Sequence, residues 1–166
     1  MRTLITGGVK SGKSSYALAI AESEFVERHF LATAVAFDDE MRDKIRRHRE
    51  ERAGSYGTIE EPIDIDRYLR DDLIVDCIPM WLGNLMHHGR TSEATAIVRR
   101  MIDRMPERIV IVTNETGLGN IAFDESTRRY NNLLGLVNQR LAHVVDRVLL
   151  MVSGCPIVVK EPGGGR

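Results

Sequence analysis

Apolar positions fall along the chain in two patterns. Continuous or β-branched runs at Thr3-Leu4-Ile5-Thr6, from His29 to Ala36, at Leu73-Ile74-Val75-Asp76-Cys77-Ile78 and at Arg108-Ile109-Val110-Ile111-Val112-Thr113 predict strands. The last two runs lack polar alternation, the mark of strands covered on both faces, and so imply a parallel sheet. Apolar residues at helical spacing from Ser14 to Glu24, Ala17, Leu18 and Ala21 among them, predict a helix directly after the first strand. Further helices are expected over Ser92 to Met105 and Ser126 to Val145. A highly charged helix is expected from Asp38-Asp39-Glu40 to about Arg52, with acids at its positive start and Gly54 to Gly57 ending it. Arg147 to Ser153 and Pro156 to Lys160 read as closing strands, joined as a hairpin across Gly154. Strands that alternate with helices make this an α/β chain, a mostly parallel central sheet flanked by helices. There is no internal repeat, and the reading is one domain over residues 1–160 with a flexible, glycine-rich tail at 161–166.

Composition narrows the class. A length of 166 residues, 43% of them hydrophobic, suits a single sizeable core. With 23 basic and 24 acidic side chains and a formal charge of -1, no surface is built to hold nucleic acid or anionic membrane, which leaves small molecules or copies of the chain as partners. Cys77 and Cys155 lie in apolar runs and read as buried thiols in a reducing cytoplasm rather than as a disulfide or metal site. Gly7-Gly8 interrupts the first apolar run early, and no later run reaches the length of a membrane span, so a soluble, unprocessed cytoplasmic protein is expected.

The chemistry begins at Gly7-Gly8-Val9-Lys10-Ser11-Gly12-Lys13-Ser14, which fits G-x-x-x-x-G-K-[ST] between a strand and a helix. Glycines let consecutive N–H groups turn inward at a helix start, where anions are favoured, so the segment is a nucleoside-triphosphate site. Lys13, read as an exposed loop lysine, would set its ammonium against the β- and γ-phosphates, the Ser14 hydroxyl would ligate Mg²⁺, and Lys10 would add a second cation. Asp76 is the strand-end carboxylate expected to complete the Mg²⁺ shell, while Asp71 and Asp72 read as solvated loop charges. Glu115, after Val112-Thr113-Asn114, is a second strand-end acid that would orient a nucleophile or substrate. A P-loop by itself leaves open a kinase or NTPase acting on another small molecule, and equally a noncatalytic GTP-binding subunit.

Further segments narrow these alternatives. They are Ala32-Thr33, Asp38-Asp39-Glu40-Met41, His48-Arg49-Glu50-Glu51-Arg52, Thr58-Ile59-Glu60, Asp76-Cys77-Ile78, Trp81-Leu82-Gly83-Asn84-Leu85, Asn114-Glu115-Thr116-Gly117-Leu118-Gly119, Val137-Asn138-Gln139-Arg140 and Val152-Ser153-Gly154. In this order, and with the P-loop, the chain resembles the bifunctional adenosylcobinamide kinase/adenosylcobinamide-phosphate guanylyltransferases of cobalamin biosynthesis. The resemblance implies a RecA-like P-loop NTPase fold, a homotrimer, and two reactions using ATP, GTP and Mg²⁺. Adenosylcobinamide is phosphorylated, and GMP then passes from GTP to adenosylcobinamide phosphate through a guanylyl-histidine, giving adenosylcobinamide-GDP.

The residue matching that histidine is His48. A neutral imidazole attacking the α-phosphorus divides a difficult transfer into two displacements. Arg49 and Arg52 supply phosphate-binding cations beside it, Arg52 on the same helical face, and Glu50 and Glu51 complete the matched segment. Taken alone, His48 is a solvated residue of the run Lys44-Ile45-Arg46-Arg47-His48-Arg49, and the resemblance is what makes it a nucleophile. The same match implies that Glu60 contacts guanine or ribose and that Thr33 and Ala34 give a small strand-end surface to nucleotide or histidine loop. His87-His88 reads as a loop pair rather than a metal site. The sequence departs from the family at Ala122, where proline is common, at Tyr130-Asn131-Asn132, in place of an aromatic-Arg-Asp step, and at Tyr56, where tryptophan is common. These departures bear on corrinoid contacts and the kinase half more than on guanylyl transfer.

Overall fold

The computed structural model describes residues 1–36, 38–52, 54–119 and 121–163, and within these the side chains of Glu40, Met41, Lys44, His48, Glu51 and Arg52 lie outside the description. Elements follow in the order β1 (Arg2–Gly7), α1 (Lys13–Glu24), β2 (His29–Ala32), α2 (Asp39–Arg52), β3 (Gly57–Glu60), β4 (Leu73–Asp76), α3 (Ile78–His87), α4 (Ala94–Asp103), β5 (Ile109–Val112), α5 (Glu125–Val144), β6 (Arg147–Val152) and β7 (Cys155–Lys160). The strands form one sheet in the order β3-β2-β4-β5-β1-β6-β7, parallel throughout except for the antiparallel β6–β7 hairpin.

Alternation along the strands produces two cores. Leu4, Leu31, Leu73, Val75, Ile109, Ile111 and Val148 face the layer of α3, α4 and α5, where Trp81, Leu82, Ile97, Met101, Leu134 and Leu141 are buried. Their neighbours Ile5, Phe30, Ile74, Val110, Val112 and Leu149 face the other side, where Ala17, Ile20 and Ala21 of α1 cover them. Both faces are thus sealed, as continuous apolar strand sequences require. A side chain such as Trp81, fully buried with its indole N–H donated to the Ile63 carbonyl at 2.8 Å, contributes about 3 kcal/mol through burial.

Several expectations are corrected. The second strand ends at Ala32 rather than Ala36, and β4 ends at Asp76 rather than Ile78, because the chain there enters α3 with Pro79 in its first turn. Helix α3 and strand β3 were not foreseen. Asp72 is no solvated loop charge: it is 3% exposed, accepts the N–H groups of Val26 and Glu27, and is paired with Arg108. Cys77 is only half-buried and Cys155 is exposed, so neither is a core thiol. His87 ends α3 and His88 caps it, their rings edge to face 5.3 Å apart, so the pair belongs to a helix end rather than a loop. Tyr56 packs its ring edge-on against Phe30. Gly164 to Arg166 of the expected tail lie outside the described residues. Among the described residues, no helix is long and apolar enough to cross a membrane.

Candidate active site

The site lies along the carboxyl edge of the parallel strands, where the sheet order sends the chain from β1 past β5 and β4 to β2 on one side and leaves β6 on the other. The P-loop fills the gap between β1 and α1. Gly7 and Gly12 have positive φ of 149° and 91°. A Cβ on Gly7 would stand 2.5 Å from the Met151 carbonyl, and one on Gly12 would stand 3.2 Å from Gly154 Cα. The loop is therefore clamped against the β6–β7 turn, where the Gly154 N–H donates to the Ser11 carbonyl at 3.0 Å.

Lys13 is not an exposed loop lysine. It begins α1, is 8% exposed, and donates from Nζ to the Gly8 carbonyl at 2.5 Å and to Ser11 Oγ at 3.4 Å. The ammonium thus points back into the loop it closes. Helix α1 lies across β1, β5 and β4 and brings the Ser14 hydroxyl to 3.3 Å from Asp76 Oδ2. A hydroxyl and a carboxylate converging beside a phosphate loop are hard oxygen donors of the kind Mg²⁺ takes, so these residues fit the ion. Lys10 and Val9 are exposed at the loop tip.

Neighbouring strand ends complete the edge. The Thr33 side chain is fully buried: its Oγ1 donates to the Cys77 carbonyl and accepts the Cys77 N–H, both at 2.8 Å. The buried Asn84 amide holds the Thr33 carbonyl at 2.7 Å, so Thr33 forms the floor beneath Asp76, with half-buried Ala34 following it. The Glu115 N–H donates to the Gly7 carbonyl at 3.1 Å, which seats the segment after β5 against the P-loop. Asn138 of α5 fixes that segment from behind, accepting from Thr113 Oγ1 at 2.7 Å and donating to the Asn114 carbonyl at 3.0 Å. Neither Asn84 nor Asn138 was singled out for this role. Each stood in a motif, but only the three-dimensional packing reveals what it holds.

Helix α2 carries the charged segment. Arg49 is ion-paired with Glu60 at the end of β3, so two of the residues assigned to nucleotide binding meet. Glu50 is exposed, and the side chains of His48, Glu51 and Arg52 lie outside the described residues. Ala32 is in register with both Glu60 and Asp76, placing these acids two strand spacings apart, about 10 Å, on one edge. From β3 to β1 the edge spans four spacings, about 19 Å, so the Arg49–Glu60 end and the phosphate loop are separate ends of one site. Tyr130, the aromatic that precedes the Asn131-Asn132 departure, is half-buried, which pushes its phenol up to about 12, and its hydroxyl donates to the Pro79 carbonyl at 3.1 Å.

Relatives give this geometry a family. A family model described as "Cobinamide kinase / cobinamide phosphate guanyltransferase" (CobU) matches residues 3–159. The chain is 37% identical to the bifunctional adenosylcobalamin biosynthesis protein CobP of Pseudomonas aeruginosa, covering 98% of this chain and 99% of that one. It is 32% identical to the bifunctional adenosylcobalamin biosynthesis protein CobU of Salmonella typhimurium, covering 96% and 100%. In fold it is similar to a prototypical ATPase from the type III secretion system of pathogenic bacteria, with a TM-score of 0.53 and 11% identity over 90% of this chain and 50% of the ATPase. The chain belongs to the cobinamide kinase/cobinamide phosphate guanyltransferase family.

Proposed function

We propose that this protein performs both reactions for which its family is described, phosphorylating adenosylcobinamide and then transferring GMP from GTP to the phosphate so formed. The observation that carries this reading is the convergence of Lys13, Ser14 and Asp76 on one phosphate loop, on the same sheet edge as the ion pair that ties α2 to Glu60. In the first step the corrinoid hydroxyl oxygen bonds to the γ-phosphorus of ATP or GTP, the bond to the β-phosphate oxygen breaks, and the hydroxyl proton is released. Lys13 and the loop N–H groups bind the transferring phosphoryl, and Glu115 orients the hydroxyl. Mg²⁺ carried with the nucleotide would neutralise phosphate charge, held by Ser14 and Asp76.

In the second step an imidazole nitrogen of His48 bonds to the α-phosphorus of GTP and pyrophosphate leaves. A phosphate oxygen of the corrinoid then displaces the histidine, giving adenosylcobinamide-GDP. Arg49 and Arg52 bind phosphate oxygens, Glu60 takes the guanine or ribose, and Ala34 packs beside them. The protein works as a homotrimer, a reading supported by the exposed apolar residues Ile157, Val158 and Val159 on edge strand β7. Mass spectrometry of a mixture of adenosylcobinamide, ATP, GTP and Mg²⁺ with the protein tests the chemistry. Adenosylcobinamide phosphate followed by adenosylcobinamide-GDP is expected, and unchanged adenosylcobinamide would refute it.

A further inference from the structure

The loop that follows Glu115 presents apolar side chains to solvent at the mouth of the site. Leu118 and Ile121 are 81% and 88% exposed and Phe123 is fully exposed, while Val9 stands equally open at the tip of the P-loop. The Glu115 N–H is bonded to the Gly7 carbonyl, Arg128 donates to the backbone carbonyls of Ala122 and Phe123, and the Asp124 carboxylate caps α5 by accepting the Thr127 N–H at 2.7 Å. Both ends of the loop are therefore pinned while its apolar side chains find no partner in the core. Exposure of a phenylalanine and two branched aliphatics together costs solubility, and such groups mark a binding surface.

Resting on the proposed function, we infer that Leu118, Ile121 and Phe123 form the platform that receives the corrin macrocycle. The patch follows, three residues on, the Glu115 N–H that is bonded to the Gly7 carbonyl of the P-loop, and a corrinoid whose side-chain hydroxyl reaches the γ-phosphate must carry its bulk outward from that point. A corrin ring offers broad faces edged by methyl groups, which exposed apolar side chains complement, and its peripheral amides stay in water. A nucleotide, already held by the loop amides and Lys13, has no use for this surface.

The test compares the full-length protein with Phe123→Ser and Ile121→Ser. Val26→Ser serves as a control for loss of an exposed valine, 86% open, near Asp72 at the opposite edge of the sheet. Equilibrium dialysis with adenosylcobinamide, steady-state kinetics and sedimentation are measured for each. Either platform variant is expected to raise the Kd and KM for adenosylcobinamide about tenfold or more, with the nucleotide KM, thermal midpoint and sedimentation unchanged and the control unaltered. Wild-type affinity for adenosylcobinamide in both variants would overturn the platform while leaving the enzyme's function standing. Dissociation of an oligomer in the variants would also overturn it, by assigning the patch to a second copy. A wild-type protein that neither binds nor phosphorylates adenosylcobinamide would remove the underlying reading as well.

Discussion

At the scale of the residue, Lys13 carries the largest consequence. Its ammonium rests on the Gly8 carbonyl and the Ser11 hydroxyl, acceptors supplied by the loop itself, and a bound triphosphate offers it stronger, charged ones. Lys13→Ala is expected to weaken triphosphate binding by roughly tenfold to a hundredfold and to lower turnover by at least about a hundredfold, with circular dichroism unchanged. Titration calorimetry and initial rates check this, and wild-type values for both would remove Lys13 from the phosphate site. The loop was legible in the sequence because its chemistry is contiguous: eight successive residues specify glycine turns, cation and hydroxyl. The burial of Lys13 was not legible, since it depends on how the loop folds back to set the Gly8 carbonyl and the Ser11 hydroxyl against its ammonium. Thr33 shows the same limit. Its position at a strand end was readable, but not the pair of hydrogen bonds to Cys77 that commit its hydroxyl to the floor of the site.

At the scale of the element, the sheet's lower edge depends on Asp72, which joins the start of β4 to Arg108 ahead of β5 and to the turn after α1. The Arg108 guanidinium hydrogen-bonded to it, together with the backbone N–H groups of Glu27 and Val26, outweighs burial and holds its carboxyl below the ordinary range. A folded-state value below the unfolded one, about 3.9, means that this stabilisation is complete above that pH and is lost as pH falls through the folded value. Asp72→Asn is expected to lower the thermal midpoint by roughly 5 °C at neutral pH. The difference from wild type should shrink as pH falls below about 4, where the unfolded chain's carboxyl takes up a proton while the native one holds its charge to lower pH, and a constant difference through that range would contradict the account. Two elements escaped the sequence reading for opposite reasons. Strand β3 is an exposed edge whose residues Gly57–Glu60 show no apolar alternation, while α3 follows β4 so closely that strand and buried helix merge into one apolar run. Long strands, helices with polar faces and the hairpin were readable because each carries its own period.

At the scale of the whole molecule, β7 closes the sheet as its outer strand, pinned by Lys160, whose Nζ donates to the carbonyls of Ala142, His143 and Val145 at the end of α5. Its outward Ile157, Val158 and Val159 leave an apolar edge of the kind that association covers. Sedimentation velocity is expected to find a species of three chains, and an active monomer at all concentrations would contradict the trimer. Across the monomer, the site stretches from the phosphate loop to the Arg49–Glu60 pair, about 19 Å along the strand ends. In the proposed mechanism, that separation lets one fold hold a phosphoryl transfer needing no protein nucleophile and a guanylyl transfer needing one. The account's central claim is that His48 on α2 is that nucleophile, and incubation with α-labelled GTP followed by peptide mapping tests it most directly. The account predicts GMP on His48 as a phosphoramidate, labile in acid and stable in base, absent in His48→Asn although GTP binding and kinase activity persist. Label on Lys13 or on another histidine, or an undiminished adduct in His48→Asn, would contradict it.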